Sequence, residues 1–114
     1  MINKEQANKI AEEFLRCQQS TADYELYFGG NMADELGWIF FWGAKDRKIR
    51  LAGNCPILII RDGGLIMLPT SLHPLEEALP EIKQTNTLLG RPLKIDYSYR
   101  DKLDQTQELK KRKL

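Results

Sequence analysis

The chain begins with apolar residues spaced three or four positions apart, a period that predicts an amphipathic helix. These apolar residues are Ala7, Ile10, Ala11, Phe14 and Leu15. Asn3, with Gln6 three positions later, matches the capping box that starts many helices. The sequence therefore predicts a helix over residues 4–19 whose apolar face packs on a sheet.

Four stretches after this helix have the patterns of β-strands. Residues 23–28 alternate between apolar and polar side chains, which predicts an outer strand that ends at the following Gly-Gly-Asn. Residues 38–42 and 56–60 are apolar on both faces, so they are predicted to be inner strands. Residues 65–68 are also apolar, and the Asp-Gly-Gly at 62–64 suits the tight turn of a hairpin.

The C-terminal third has shorter patterns. Helical apolar spacing follows Pro74, which predicts a short second helix that Pro80 would kink or divide. Residues 93–97 alternate like an added edge strand. Residues 103–113 have the pattern of a charged helix or tail, and residues 110–114 are predicted to be mobile.

The predicted fold class is α+β, with an antiparallel sheet of four or five strands against the N-terminal helix, a short second helix and a C-terminal strand and helix extension. One helix covers only one face of a sheet whose inner strands are apolar on both sides, so the second face needs another cover. Residues 88–114 are the predicted cover, and a homodimer is the alternative. The apolar residues available there are Leu88, Leu89, Leu93, Ile95, Tyr97 and Tyr99. Trp38 is expected in the core, where truncation to alanine would cost about 3–5 kcal/mol.

Length and composition are those of one globular domain. The 114 residues are 42% hydrophobic and 29% charged, so residues 1–114 are predicted to form a single domain. No apolar run approaches the roughly 20 residues that span a bilayer, and the N-terminus has no apolar leader. A cytoplasmic protein without membrane contact is predicted. Cys17 and Cys55 lack a second thiol or a histidine at ligand spacing, so we expect them to be reduced, buried and free of zinc.

Residues with the chemistry of an active site are few, and their spacing does not bring them together. His73 is the only histidine, and its place before Pro74 favours capping or exposure over general base catalysis. The glutamate pairs at 12–13 and 76–77 are adjacent in sequence, so they point to different sides of a helix. The basic loop at 43–53 lacks the interleaved aromatic residues of nucleic-acid sites. The sequence predicts a protein that is not an enzyme and that has no cofactor, no metal and no nucleic-acid partner.

Charge is distributed unevenly although the net charge is only +1. Residues 1–36 carry three basic and seven acidic residues, whereas residues 91–114 carry eight basic and four acidic residues. Either both ends are solvated surfaces that attract each other weakly, or one of them meets a charged partner.

The order of these motifs resembles the immunity protein 35 family over about residues 2–82. The most specific parts are a Gly-Trp-x-Phe-Phe strand at 37–41 and a Gly-Asn-x-Pro-Ile strand entry at 53–57. The motif residues are Gly37, Trp38, Phe40, Phe41, Gly53, Asn54 and Pro56. Residues 88–114 form a C-terminal extension outside the resemblance.

Members of that family are small bacterial proteins inferred to neutralise a toxin of the same or a neighbouring cell, in polymorphic toxin systems. The resemblance implies an immunity protein that inhibits a cognate protein toxin by forming a stoichiometric, non-catalytic complex. The alternative is a small chaperone-like or adaptor protein that binds partners through an apolar sheet face.

Two charged groups are candidates for contact with a toxin. Many toxins that attack nucleic acid present basic clefts, to which carboxylates could dock. The predicted carboxylates are Glu12, Glu13, Asp34 and Glu35. The competing hypothesis is that the basic loop meets an acidic toxin through Lys45, Arg47, Lys48 and Arg50.

Overall fold

Two helices enclose a four-stranded antiparallel sheet in the computed structural model, which describes residues 1–49 and 54–104. Helix α1 spans Lys4–Gln19 and helix α2 spans Leu75–Thr85. The strands, which pair in chain order, are β1 (Leu26–Asp34), β2 (Gly37–Ala44), β3 (Ile57–Ile60) and β4 (Leu65–Met67). A two-stranded ribbon of β5 (Thr87–Leu88) and β6 (Arg91–Pro92) follows α2. The predicted α+β class is confirmed.

Helix α1 begins as the capping-box pattern predicts. The Asn3 side chain accepts a hydrogen bond from the Gln6 N–H at 2.9 Å, and the Gln6 side chain accepts one from the Asn3 N–H at 2.9 Å. These bonds satisfy N–H groups that the first turn of a helix leaves without a partner. The helix packs its apolar face on the sheet, and its buried residues are Ala7, Ile10, Ala11 and Phe14.

The inner strands divide their side chains between two apolar layers, as their pattern predicts. Phe40 of β2 and Ile59 of β3 are buried on the side of α1. Ile39 of β2 and Leu58 of β3 are buried on the opposite side. We call these the α1 layer and the α2 layer, because α2 covers the second side.

Helix α2 covers the sheet face that α1 leaves open, through buried Leu79 and Ile82. The sequence assigned this cover to residues 88–114, and that assignment was wrong for the main part of the face. The C-terminal residues at the margin of the α2 layer are Leu88, Leu93 and Ile95. Tyr99 packs on the α1 layer instead. A second copy of the chain is therefore not needed to bury this face.

Pro80 lies inside α2 and does not divide it. A proline within a helix removes the hydrogen bond to the carbonyl four residues earlier, here that of Glu76. Both residues are exposed, so water can bond to that carbonyl. The helix is thus a single element, and Pro74 is its N-cap residue.

Strand β1 runs past the glycines at which the sequence predicted its end. It continues to Asp34 and pairs with β2 through an irregularity between Phe28 and Gly30. A β-bulge of this kind accommodates one extra residue, here Gly29. The predicted end was wrong because glycine in a strand often marks a bulge and not a stop.

Trp38 packs at the margin of the α1 layer and is half-buried. The Arg61 guanidinium lies over its ring, 5.4 Å from the ring centroid. Because part of the ring stays in water, we expect its truncation to cost less than the roughly 3–5 kcal/mol of a fully buried residue.

The C-terminal segment closes over the turn between β3 and β4. The Tyr97 hydroxyl donates a hydrogen bond to the Asp62 carboxylate at 2.7 Å, and Arg100 donates one to the Asp62 carbonyl oxygen at 3.2 Å. The Arg100 guanidinium also lies 4.5 Å from the centroid of the Tyr97 ring. A Cβ atom on Gly64 would overlap the Ile95 side chain and come within 2.9 Å of the Tyr97 ring, so a larger residue there would displace both side chains.

The strand predicted over residues 93–97 is reduced to one bridge. Leu65 and Asp96 exchange two backbone hydrogen bonds of 2.9 Å. Residues 98–104 are helical. The predictions for residues beyond 104, including the mobile end, lie outside the described residues.

The two cysteines are free thiols, and they are half-buried where the sequence predicted burial. Cys17 lies beside Lys102, whose Nζ is 3.5 Å from the sulfur. Within the described ranges, no helix combines the length and the apolar character needed to cross a membrane.

Candidate functional site

An open groove with a volume of about 730 Å³ follows the outer edge of β4. Residues of the α1 layer line one side of it, and residues of the α2 layer line the other. The main lining residues are Phe14, Leu65, Met67, Leu88, Leu93 and Tyr99. Apolar concave surfaces of this size are where partners and ligands bind. We call this site the edge groove.

The wall of the edge groove on the α1 side is aromatic. Phe14 meets Trp42 and Tyr99 edge to face, with centroid distances of 5.3 Å and 5.6 Å. Burial raises the pKa of the Tyr99 hydroxyl above its ordinary value. The wall therefore stays uncharged at neutral pH.

The opposite wall of the edge groove is the turn over residues 86–92, which contains the β5–β6 ribbon. Glu81 holds this turn in place. The Glu81 carboxylate accepts hydrogen bonds from the N–H groups of Leu89 at 3.0 Å and Gly90 at 2.9 Å. It also accepts one from the Thr87 hydroxyl at 2.6 Å. Leu89 has a φ of 53°, a left-handed conformation that costs a leucine about 1–2 kcal/mol. The bonds to Glu81 offset that strain.

His73 belongs to the same network. Its Nε2 lies 2.8 Å from one Glu81 oxygen, and its Nδ1 lies 3.5 Å from a Glu77 oxygen. The imidazole thus links the chain before α2 to the solvent side of that helix. The sequence predicted that His73 caps the helix or is exposed, whereas its side chain is mostly buried and bonded to these carboxylates.

Glu81 remains ionised to low pH because of these bonds. The Thr87 hydroxyl, followed by the Gly90 N–H, lowers the pKa of Glu81 from 4.5 to about 2. A carboxyl whose folded-state pKa is lowered stabilises the fold above its ordinary pKa. That contribution is lost as the pH falls through about 2.

We expect Glu81→Gln to remove a pH-dependent part of the stability. Glutamine keeps one oxygen acceptor but has no charge, so the turn over residues 86–92 loses bonds. Between pH 4.5 and 2, the free energy of unfolding should fall more steeply for the wild type than for the variant. Urea denaturation at each pH measures this. Glu76→Gln, at an exposed position of the same helix, is the control and should keep the wild-type slope. Equal slopes for Glu81→Gln and wild type would contradict the expectation.

The rim of the edge groove combines exposed apolar side chains with two cations. Leu72 is 76% exposed, Leu89 45% and Met67 39%. Arg91 and Lys94 also line the groove, and neither forms an ion pair with another residue that the structure describes. The groove can therefore bind an apolar segment that carries negative charge.

The predicted acidic residues on α1 are only partly available. The Glu13 carboxylate lies 3.0 Å from Arg16 Nε and 3.4 Å from Lys102 Nζ. Both cations lower the pKa of Glu13, and Arg16 has the larger effect. Glu12 is exposed, whereas Glu13 is engaged in ion pairs within the chain.

The other two predicted carboxylates are at the end of β1, where Asp34 is its last residue, and in the turn that follows, where Glu35 lies. Asp34 accepts a hydrogen bond from the Leu36 N–H at 2.9 Å and lies 3.4 Å from Lys83 Nζ of α2. Glu35 lies 3.9 Å from the same Nζ, and its side chain is 87% exposed. Since α1 and α2 lie on opposite faces of the sheet, the four carboxylates do not form one acidic surface.

The competing basic loop is also partly paired. Lys45 Nζ lies 3.4 Å from the Glu25 carboxylate. Arg47 and Lys48 are exposed, and Arg50 lies outside the described residues.

The motif residues of β2 have structural positions. Gly37 pairs with Ile60 of β3. Phe40 belongs to the α1 layer and Phe41 packs against the α2 layer. They shape the sheet, and Phe41 also lines an open cavity of about 420 Å³ beside β1 and β2.

The motif at the entry to β3 anchors the chain to β2. The Asn54 side-chain amide donates to the Trp42 carbonyl oxygen at 3.2 Å, and the Trp42 indole N–H donates to the Cys55 carbonyl oxygen at 2.7 Å. Pro56 is buried. Gly53 lies outside the described residues.

Sequence reasoning missed the residues of the edge groove. Met67 and Lys94 were assigned to strands, and Leu72 and Arg91 were given no role in binding. One available signal was Leu72, an apolar residue in a turn of proline, threonine and serine. Such a residue has no strand or helix to bury it.

Metal binding has no candidate in the part of the chain that the structure describes, because no three His, Cys, Asp or Glu side chains are grouped as metal ligands there.

Comparisons of the chain with protein-family models, with curated proteins and with solved structures find no match.

Proposed function

We propose that this protein is an immunity protein that binds and neutralises a cognate bacterial toxin in a stoichiometric, non-catalytic complex. The observation that supports this proposal is the edge groove, with Met67, Leu72 and Leu89 exposed at its rim. Exposed apolar side chains that cluster around a groove are typical of surfaces that bind another protein. The sequence resemblance implies that the partner is a protein toxin, and the complex would form in the cytoplasm.

The alternative is a chaperone-like or adaptor protein that binds through an apolar sheet face. Helices α1 and α2 cover the two faces of the sheet, so such binding would also have to use the edge groove. Weak binding to many unfolded proteins would favour this alternative, whereas one tight complex favours the immunity role.

Steering of the toxin by carboxylates stays a prediction. Glu12 and Glu35 are the two of the four that are exposed, whereas Glu13 and Asp34 are engaged within the chain. Charges at the rim of an interface act mainly on the association rate. Such steering would accompany binding in the groove and would not replace it.

The test is protection of bacterial cells from the product of the adjacent reading frame. Expression of that product alone should stop growth, and co-expression of this protein should restore it through a complex with one copy of each chain. Leu72→Asp should abolish protection, because it places a charge on the exposed apolar rim. Circular dichroism should show an unchanged fold, since Leu72 is 76% exposed.

The matched control is Met32→Asp, which introduces the same charge at an apolar residue of β1 that is 44% exposed and lies outside the groove. It should protect cells as the wild type does. Protection that survives Leu72→Asp would show that the groove is not the toxin site. A product that neither arrests growth nor forms the complex would contradict the immunity function.

A further inference from the structure

We propose that the outer edge of β4 receives an extended segment of the partner protein, which adds a strand at Met67 and places acidic side chains against Arg91 and Lys94. This inference rests on the proposed function, since it describes how a toxin would occupy the edge groove.

The hydrogen bonds of β4 show which of its residues face outward. The Ile60 N–H donates to the Gly64 carbonyl oxygen and the Leu68 N–H donates to the Pro56 carbonyl oxygen, both at 2.9 Å. Positions 64, 66 and 68 therefore bond toward β3, and positions 65 and 67 bond away from it. Among the residues that the structure describes, the outward N–H and C=O of Met67 have no partner.

The neighbouring segment begins a ladder with β4 and does not continue it. Leu65 uses both of its outward groups in bonds to Asp96. In an antiparallel pair the next outward partners would be Met67 and Lys94. The bridge is an isolated one, because the chain turns away into the β5–β6 ribbon. The edge groove is the space that remains beside Met67.

An added strand would find an aromatic wall on one face and, on the other, a wall that combines apolar and basic side chains. Successive side chains of a strand point in opposite directions. One set would meet the aromatic wall of Phe14 and Tyr99, and the other would meet the opposite wall, where Arg91 lies beside apolar side chains. Strand addition takes its affinity from main-chain bonds and its specificity from such side-chain pockets.

Charge indicates the chemistry of the segment. Arg91 and Lys94 line the groove. The one carboxylate there, Asp96, already accepts a hydrogen bond from the Ser98 N–H at 2.8 Å. The excess positive charge favours a segment that alternates apolar and acidic residues.

The experiment titrates the full chain with the blocked peptide acetyl-Thr-Val-Glu-Val-Glu-Val-Thr-amide, followed by NMR. The peptide should shift the signals of residues 65–67 and 88–94 and slow the hydrogen exchange of the Met67 N–H, which should be fast in the free protein. The same peptide with Lys in place of Glu should bind about tenfold more weakly. Shifts confined to other surfaces, or equal binding of the two peptides, would overturn the proposal.

Met67→Pro tests the main-chain contact directly. Proline removes the outward N–H, which is a tolerated change on a strand edge because β3 does not use that group. Peptide binding should weaken about tenfold or more. Met67→Val keeps the N–H and should bind within about twofold of wild type. Equal binding by the two variants would overturn the proposal. If the proline variant does not fold, the test is whether the peptide slows the exchange of the Met67 N–H in the wild type.

Other occupants give distinct results. Slow exchange of the Met67 N–H in the free monomer would show that residues 93–96 close the edge themselves. A dimer in sedimentation would assign the groove to a second copy, and either result would overturn a partner segment. If Met67→Pro still protects cells from the toxin, strand addition fails and the immunity function stands. If the peptide binds as expected but the adjacent product does not, the immunity function fails and the edge site stands.

Discussion

Gly37→Ala should lower the free energy of unfolding by about 3–5 kcal/mol, a large part of the 5–15 kcal/mol that is typical of a domain of roughly this size. Gly37 has a φ of 153°, which side chains rarely adopt. A Cβ atom there would overlap the Ile59 carbonyl oxygen and come within 2.9 Å of the Ile60 Cα. Both atoms belong to the backbone of β3, which cannot move without breaking its pairing with β2. Urea denaturation measures the loss.

Gly30→Ala is a matched control for this prediction. Gly30 has a φ of 155°, close to that of Gly37, but a Cβ atom there would meet nothing within 4 Å. Its replacement should therefore cost only the conformational part, about 1–3 kcal/mol. Equal losses for the two variants would show that close approach of β2 to β3 does not require Gly37.

A chain that ends at Gly90 should be about 4 kcal/mol less stable than a chain that ends at Asp104. The shorter chain lacks four partly buried apolar side chains, each worth about 1 kcal/mol at half burial. These residues are Leu93, Ile95, Tyr99 and Leu103. The loss also uncovers the turn at Asp62 and the aromatic wall at Phe14. Urea denaturation and binding of an apolar fluorescent dye measure the two effects.

Tyr97→Phe, in the chain that ends at Asp104, tests the hydrogen bond to the turn at Asp62 separately from apolar burial. It removes only the hydroxyl that bonds to Asp62, so it should cost about 1 kcal/mol. A chain that ends at Gly90 with an unchanged urea midpoint and no dye binding would show that residues 91–104 are an appendage.

Apolar periodicity predicted α1 and the four strands because burial acts on each element separately. Phe40 and Ile39 had to face opposite layers, whatever covered those layers. The cover itself was harder to predict. The sequence predicted that Pro80 would kink or divide α2. Pro80 is tolerated because it lies on the solvent side of the helix, and that position depends on how the helix packs.

The edge groove could not be predicted, because it exists where pairing stops. Residues 93–97 alternate like a strand. The chain that leads into them is held away from β4, because the N–H groups of Leu89 and Gly90 donate hydrogen bonds to Glu81. These bonds join residues eight and nine positions apart, a spacing that matches neither the helix period nor the strand period. The acidic residues failed as one site because Lys83 pairs with Asp34 and Lys102 pairs with Glu13. Sequence spacing does not reveal these contacts between distant parts of the chain.

The turn at Arg61 and Asp62 also bears on the order in which the chain folds. Strands β1 to β4 pair with their neighbours in sequence, which keeps loop-closure entropy low and folding fast. The turn binds segments from far along the chain in both directions: the Ile2 N–H donates to the Arg61 carbonyl oxygen at 2.8 Å, and Tyr97, 35 residues from Asp62, bonds to its carboxylate. These bonds require a turn that the meander has already shaped. We therefore expect the sheet to form before the segment that completes the edge groove closes over it.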